Sequence, residues 1–435
     1  MASLPDTSAG AAAADIPDAE ETIPPEPARI LSGLRVIEGS AFVAAPLGGM
    51  TMAQLGADVI RFDPVGGGLD YERWPVTRRG RSLFWAGLNK GKRSVAIDLA
   101  RPEGVELATR LITAPGDDAG IFLTNFPARG WLAYERLRRL REDLIMVAVT
   151  GDHEGRSAVD YTVNAAIGFP MATGPADAKA PVNHVLPAWD AACGLWAACG
   201  VLAAERHRRL TGEGQLVTLA LSDVALAVTG ALGILAEVMV NGEDRPRYGN
   251  DLYGAFGRDF ATADGRRIMV VGLTGRQWQG LLRATGLGAE MAALGERMGL
   301  DLSRQGNRFR ARGEIAARVG PWIAARPLAE VARAFDAEGV CWGPYQTFGE
   351  LVAHDPRCST ANPLFTLLDQ PGIGTYLAPG SPLVLGAFPR SEATPAPLLG
   401  AHTDEVLAGV LGLGDGEIGT LHDRGIVAGP DTIPT

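Results

Sequence analysis

Asp190 is the residue best suited to act as a nucleophile. It lies within Pro187-Ala188-Trp189-Asp190-Ala191-Ala192, directly before a helix that the alanine-rich pattern predicts over residues 191–210. A carboxylate among apolar neighbours can attack a carbonyl carbon, and the positive end of a helix stabilises both its anion and negative charge that develops on a substrate. The same position suits a helix N-cap, because an aspartate oxygen accepts the free N–H groups of a first turn. The residue types leave both interpretations open.

A short basic segment could bind a phosphate group. Asn89-Lys90-Gly91-Lys92-Arg93-Ser94 places three cations and two hydrogen-bonding side chains before a predicted strand, and such a cluster can hold a multiply charged anion. The run Gly66-Gly67-Gly68 could also offer backbone N–H groups to a phosphate. Taken alone, the first segment is more typical of a solvated loop and the second of a flexible turn. No GxGxxG motif follows the first predicted strand and the sequence has no GxxxxGK[ST], so dinucleotide and triphosphate sites lack their usual support.

Two histidines lie where loops often form sites. His153 and Glu154 follow a predicted strand, so they form either an acid–base pair or a polar turn. His184 lies six residues before Asp190 and could orient a substrate. A Gly-x-Ser-x-Gly elbow is missing from the sequence, which disfavours an α/β-hydrolase.

The composition narrows the class of protein. The 435 residues are 46% hydrophobic and 21% charged, as in ordinary globular proteins. A net charge of −10 disfavours a nucleic-acid partner. The four cysteines form no CxxC pair and no zinc spacing, so we expect no metal and a reducing, cytoplasmic location. Residues 1–30, rich in Ala, Pro and acidic residues, predict a disordered tail, and residues 224–240 predict a buried helix without a membrane role.

The elements that must position these residues alternate between strand and helix. Strands are predicted over residues 34–38, 57–62, 95–99, 119–125, 144–149 and 216–221, with helices over 44–55, 102–111, 134–140 and 191–210. This alternation predicts an α/β fold with a doubly wound parallel sheet. From about residue 245 to 360, short strands and helices mix, which indicates a second, smaller domain.

Five ordered segments match one known family. They are residues 34–64 (including Leu55-Gly56-Ala57-Asp58-Val59-Ile60-Arg61-Phe62-Asp63-Pro64), 89–99, 190–215, 337–344 and 399–407 (Leu399-Gly400-Ala401-His402-Thr403-Asp404-Glu405-Val406-Leu407). Through them the sequence resembles the class III CoA-transferases, the formyl-CoA and carnitine CoA-transferase group that also includes α-methylacyl-CoA racemases. The resemblance covers residues 34 to about 410.

The resemblance implies a fold and an assembly. It implies a Rossmann-like, doubly wound large domain built from both chain ends, a smaller α+β central domain, and an interlocked homodimer. The corresponding expectation is a tail at residues 1–30, a large CoA-binding domain at 31–225, a linker helix and small domain at 226–365, and a C-terminal segment at 366–435 that returns to the large domain. No separate cofactor is expected, because CoA enters as part of an acyl-CoA substrate.

The resemblance also implies a site. Asp190 matches the family's nucleophile, whose attack on a thioester gives a mixed anhydride and free CoA thiolate. The positions expected to bind CoA are Arg61, Asn89, Lys90, Lys92, Arg93, Asn125 and Arg138. The candidates for shaping the acyl pocket are Ser40, Phe42, Tyr161, His184 and Arg258.

Segments 38–50, 61–71, 73–75 and 85–94 are similar to a subgroup that moves CoA between the C1 and C4 carboxyls of mesaconate. The transfer is then formally an isomerisation. The alternatives are an intermolecular transferase acting on two different acids, and an acyl-CoA-binding protein without turnover. A racemase is disfavoured, because Val159 stands where the resemblance implies the racemases' catalytic histidine, and valine cannot carry a proton.

Overall fold

The computed structural model describes residues 29–430. The predicted tail at residues 1–30 lies almost wholly outside the described residues. The strands are β1 (Arg35–Gly39), β2 (Asp58–Asp63), β3 (Arg93–Ile97), β4 (Ile121–Thr124), β5 (Ile145–Thr150), β6 (Leu216–Ala220), β7 (Phe256–Ala261), β8 (Arg267–Gly272), β9 (Cys341–Pro344), β10 (Phe365–Gln370), β11 (Gly374–Pro379) and β12 (Val427–Ala428).

The helices connect these strands. They are α1 (Ala44–Gln54), α2 (Leu83–Leu88), α3 (Pro102–Ile112), α4 (Tyr134–Arg138), α5 (Asp160–Ala166), α6 (Phe169–Ala172), α7 (Ala188–Thr211), α8 (Leu221–Ala231), α9 (Ile234–Asn241), α10 (Gly275–Thr285), α11 (Gly288–Met298), α12 (Gln305–Arg310), α13 (Arg312–Ala324), α14 (Leu328–Glu338), α15 (Phe348–His354), α16 (Thr403–Leu411) and α17 (Asp415–Asp423).

The largest sheet has seven strands in the order β12-β3-β2-β1-β4-β5-β6. Every neighbouring pair is parallel except β12 with β3. Apolar clusters cover both faces, one formed with α1, α5, α7 and α8, the other with α3, α4, α16 and α17. The prediction of an α/β fold with a parallel sheet is therefore confirmed. The strand order reverses between β1 and β4, and ligands of such sheets bind at the carboxyl ends beside this switch point.

A second unit follows the large sheet. The antiparallel sheet β7-β8-β9 packs with helices α10 to α14 around a separate core that runs from Phe256 to Val340. Strands β10 and β11 form a hairpin ladder. The chain then returns to the large sheet, where Val427 and Ala428 pair with Ile97 and Ala96.

The segment predicted as one buried helix over 224–240 is different. It forms two helices, α8 and α9, that meet at Gly233, whose φ of 76° ends the first helical path. Within the described residues, no single helix is long and apolar enough to cross a bilayer, although α8 and α9 reach that length and hydropathy as a pair bent by 62°. The expectation of burial was wrong for α9, which buries none of its residues within the chain.

Candidate active site

Asp190 lies in the first turn of α7 at the carboxyl edge of the large sheet. Helix α7 precedes β6, which runs parallel to β5, so its amino terminus is at the edge where the parallel strands end. The helix begins at Ala188, three residues earlier than the sequence predicts. Asp190 is therefore inside the helix and does not cap it.

The cap is another aspartate, Asp160, which the sequence analysis did not assign. Its Oδ2 accepts the N–H of Trp189 at 2.7 Å and that of Asp190 at 3.1 Å. The N–H groups of Ala188 and Ala191 donate to the carbonyls of Leu186 and Pro187. The donors of this first turn are all engaged. The expectation that they stabilise charge developing on a substrate is therefore not supported by this geometry.

The carboxylate of Asp190 is half-buried, and two nearby charges act on it. Among residues 29–430, no hydrogen bond reaches its oxygens. Burial and, to a lesser extent, the negative charge of Asp160 raise the pKa of Asp190 to about 6, while Arg73 opposes the rise. Near neutral pH the group is thus ionised but poorly solvated, which is the condition of an activated carboxylate nucleophile.

Glycines bring α1 and α7 into backbone contact beside this aspartate. A Cβ added at Gly194 would lie 2.6 Å from the carbonyl oxygen of Ala44, and one at Gly48 would lie 2.9 Å from the carbonyl oxygen of Gly194. Asp190 precedes Gly194 by one helical turn. The close approach therefore sets Asp190 beside the loop that leads from β1 into α1.

That loop is strained and firmly held. Phe42 has a φ of 67°, a left-handed conformation that is uncommon outside glycine. Its N–H donates to Oδ2 of Asp70 at 3.0 Å. The side chain of Asn125, after β4, pairs with both the N–H and the carbonyl of Ala41. These bonds span the switch point between β1 and β4.

Arg73 lies next to this loop. Its guanidinium carbon is 5.5 Å from the ring centre of Phe42 and 5.2 Å from that of Phe84. Cation–π contact of this kind fixes the position of a cation without neutralising it.

Three of the positions expected to bind CoA are buried and already bonded. Arg61 binds Asp63 through two hydrogen bonds and also contacts Asp70 and Asn89. Lys92 donates to Glu38, to the carbonyl of Pro46 and to Asn89. Burial lowers the pKa of Lys92 to about 8, although Glu38 opposes the shift. In this structure Arg61, Asn89 and Lys92 therefore support the β1–α1 loop and present no free donor to a phosphate.

The other expected CoA positions are scattered. Lys90 donates to the carbonyl of Gly87, and burial lowers its pKa to about 8. Arg93 pairs with Asp58, the first residue of β2, and so faces the edge of the sheet opposite Asp190. Arg138 is exposed on α4. Asn125 bonds directly to the backbone of the loop beside Asp190, at Ala41. The structure does not bring these seven residues together.

The candidates for the acyl pocket divide into two groups. His184 Nε2 lies 2.9 Å from Oδ1 of Asn164, which also accepts the indole N–H of Trp189. Nδ1 of His184 and Nδ2 of Asn164 are buried and have no hydrogen-bond partner within residues 29–430. Tyr161 is exposed on α5, and its hydroxyl contacts the carbonyl of Val185. These side chains border the start of α7.

The remaining candidates either lie away from the start of α7 or support the fold. Ser40 is buried and donates to Glu38, so it belongs to the charge cluster below the loop. Arg258, in β7, pairs with Asp251. His153 and Glu154 form an exposed turn in which Arg156 pairs with Glu154, and Gly66 and Gly67 form a turn with positive φ.

The sequence analysis missed three residues of this site. Asp160 and Asn164 are spaced by four, which places both on one face of a helix, and this spacing was the available signal. The signal available for Arg73 was its place in segment 73–75, which is similar to a family subgroup. Its contacts with Phe42 and Phe84 could not be predicted, because these residues are distant in sequence. Within residues 29–430, no group of three or more His, Cys, Asp or Glu side chains could hold a metal ion.

Comparison with known proteins shows the family of this chain. The model of CoA-transferase family III matches residues 31–403. The chain is 65% identical to a 2-methylfumaryl-CoA isomerase of Chloroflexus aurantiacus, over 92% of this chain and 98% of that protein. It is 30% identical to a succinate–glutarate CoA-transferase of Agrobacterium fabrum, over 87% and 95% of the two chains. The crystal structure of a CAIB/BAIF family protein from Brucella suis shares the fold, with a TM-score of 0.71 at 24% identity over 88% of this chain and 99% of that one.

Proposed function

This chain belongs to CoA-transferase family III, and we propose that it moves CoA between the C1 and C4 carboxyls of mesaconate, converting 2-methylfumaryl-CoA into 3-methylfumaryl-CoA. The substrate follows from the 65% identical isomerase. The observation that carries the chemistry is the carboxylate of Asp190, which is half-buried, without hydrogen bonds among the described residues, and raised in pKa to about 6.

The first half-reaction transfers CoA from the substrate to the carboxylate of Asp190. An oxygen of Asp190 attacks the C1 thioester carbonyl, the C–S bond breaks, and CoA leaves as a thiolate with the electron pair. The product is a mixed anhydride. The thiolate then attacks the carbonyl of Asp190, which forms an aspartyl-CoA thioester and releases mesaconate. No proton is consumed in either step.

The second half-reaction runs in reverse at the other carboxyl. Mesaconate turns, and its C4 carboxylate attacks the aspartyl-CoA thioester to give a second anhydride and free thiolate. Attack of the thiolate on C4 gives 3-methylfumaryl-CoA and regenerates Asp190. The anhydrides hydrolyse in water, so the site must exclude water. The buried ring of Trp189, packed against Phe169, would exclude water from one side of the site.

Two measurements test the proposal. Purified protein is incubated with 2-methylfumaryl-CoA and labelled free mesaconate, and the thioesters are separated. We expect 3-methylfumaryl-CoA without label. Label in the product would instead indicate an intermolecular transferase, and binding without any product would indicate an acyl-CoA-binding protein.

Hydroxylamine identifies the nucleophile. Added during turnover, it should convert the aspartyl-CoA thioester into a hydroxamate that peptide mass analysis locates at Asp190. Modification at another carboxylate, or none during rapid turnover, would contradict the assignment of Asp190.

We also propose that the enzyme is a homodimer. Helix α9 is mainly apolar, yet Met239 is 85% and Val240 82% exposed in the single chain. Leu195 and Trp196 on α7 are exposed as well. Apolar surface of this extent favours association with a second copy. Light scattering after gel filtration should give twice the chain mass of 45.6 kDa, and a monomer at micromolar concentration would refute the dimer.

A further inference from the structure

Arg73 is an exposed cation that contacts two aromatic rings and takes part in no ion pair within residues 29–430. It lies in the loop between β2 and α2, with its guanidinium near the ring centres of Phe42 and Phe84. None of the ion pairs among residues 29–430 includes Arg73. Contact with ring faces leaves the N–H edge of a guanidinium available, and this edge matches a carboxylate in two parallel hydrogen bonds.

The aromatic support of Arg73 is itself rigid. Phe42 is held by its bond to Asp70, and Asp70 in turn accepts from the buried Arg61 at 3.0 Å. The left-handed backbone at Phe42 shows that the surrounding bonds impose this conformation. The backbone of Phe42, whose ring contacts Arg73, is therefore tied to the buried charges of the large domain.

Arg73 and Asp190 share one end of the domain. The contact of α1 with α7 at Gly48 and Gly194 sets Asp190 beside the Phe42 loop. The two charges are close enough that Arg73 lowers the pKa of Asp190 against the larger effect of burial. A substrate attached to Asp190 thus lies within the field of an unpaired cation.

We propose that Arg73 binds the free carboxylate of the dicarboxyl substrate while the other carboxyl reacts at Asp190. This inference rests on the proposed function and extends it to substrate selection. The two carboxyls exchange roles during the reaction, so a single cation beside the nucleophile serves whichever carboxylate is idle. After the thiolate attacks Asp190, the same contact retains free mesaconate while it turns. A monocarboxyl thioester offers nothing to this cation.

Binding to a non-reacting enzyme provides the test. In an Asp190→Asn background, affinity is measured for 2-methylfumaryl-CoA and for tigloyl-CoA, in which a methyl group replaces the free carboxylate. Adding Arg73→Gln should weaken binding of 2-methylfumaryl-CoA by about tenfold to a hundredfold, as for loss of hydrogen bonds to a charged group. Binding of tigloyl-CoA should change by less than about twofold, because it lacks that group.

The outcomes separate this inference from the proposed function. Equal losses for both thioesters would mean that Arg73 only supports the fold, and no loss for either would mean that it does not contact the acyl group; both outcomes overturn the inference. Turnover of 2-methylfumaryl-CoA by the unmodified enzyme tests the proposed function independently. Arg78→Gln, an exposed arginine of the same loop, is the matched control and should bind both thioesters normally.

The aromatic contacts provide a graded check. Phe84→Leu keeps an apolar side chain but removes one ring face from Arg73. We expect the same selective weakening, smaller than that of Arg73→Gln, since the cation remains but is held less firmly. A loss that is equal for the two thioesters would contradict a role through Arg73.

Discussion

Two groups of charged side chains, a buried cluster around Arg61 and the site around Asp190, are arranged in opposite ways. In the buried cluster, Arg61 binds Asp63 and Asp70, and Lys92 binds Glu38. In the site, Asp190 has no hydrogen bond to its carboxylate among the described residues, and one oxygen of Asp160 is buried without a partner. Arg73 contacts rings in place of acids.

The difference indicates what each group does. Opposite charges that satisfy each other in the interior fix a conformation and have little capacity left for chemistry. A charge left unpaired and poorly solvated, such as that of Asp190, raises the energy of the folded state, and unpaired charges are available to a substrate. Asp70 joins the two groups, since it binds Arg61 and the backbone of Phe42. The paired cluster therefore supports the loop on which the unpaired site depends.

Removal of Asp190 should have the largest effect on activity and little on the fold. For Asp190→Ala we expect turnover of 2-methylfumaryl-CoA to fall at least about 10³-fold, as for loss of a nucleophile. Circular dichroism should be unchanged, because the carboxylate makes no hydrogen bond within the described structure. Near-normal turnover would show that another group forms the covalent intermediate.

Removal of Arg61 should lower the stability of the fold. Arg61→Met leaves buried carboxylates without their counter-ion, so we expect a loss of about 3–5 kcal/mol in the free energy of unfolding. Urea denaturation at a fixed protein concentration measures it. The control is Arg35→Met, whose pair with Asp58 is partly exposed, and which should cost less than about 1 kcal/mol. Equal losses would refute the distinction between the cluster and the surface pairs.

Much of the large sheet could be predicted from the sequence, because apolar strands and helices alternate repeatedly along this part of the chain. Strands such as Ile121–Thr124 and Ile145–Thr150 are continuous apolar runs, typical of strands buried on both faces. The break at Gly233 could not be predicted from such a pattern, because an apolar run of this length is equally compatible with one helix. The exposure of α9 depends on what covers it, which composition does not reveal.

The site was only partly predictable. Asp190 could be singled out from its apolar, helix-start setting, but the nearby charges of Asp160 and Arg73 could not. The burial of Arg61 and Lys92 depends on Glu38, Asp63 and Asp70 meeting below one loop, which is a property of the fold. A run of cations is usually exposed, and here the tertiary structure overrides that tendency.

The stability of the fold should rise when the unpaired charge of Asp190 is removed. Its pKa is about 6 in the folded state against the ordinary 3.8 of an aspartate, so the folded chain holds this proton more tightly than the unfolded chain. The stability from this group is complete below about pH 4 and is lost as the pH rises through 6. Asp190→Asn should therefore be more stable than the unmodified protein by about 1–3 kcal/mol at pH 8.

The same comparison at low pH is the control. At pH 4 the folded Asp190 is protonated and the unfolded one only partly ionised, so most of the difference in the free energy of unfolding should disappear. A difference that does not change between pH 4 and pH 8 would mean that the asparagine acts through packing and not through charge.

Asp160 should control the pH dependence of the reaction. Its negative charge contributes to the raised pKa of Asp190, and Asp160→Asn removes the charge while keeping an oxygen that can accept the N–H groups of Trp189 and Asp190. We expect the acidic limb of kcat/KM, which reports the free enzyme, to move from near pH 6 downward by about one unit. At neutral pH, kcat should fall modestly, because a less basic carboxylate is a weaker nucleophile.

The shift distinguishes electrostatics from structure. If Asp160 only caps α7, the variant should lose stability while the limb stays near pH 6. Asp223→Asn, an exposed acid on α8, removes an equal charge away from the start of α7 and should leave the limb in place. A shift in Asp160→Asn alone would establish that the aspartate that caps the helix also raises the proton affinity of the neighbouring nucleophile. One side chain would then have both a structural and an electrostatic role.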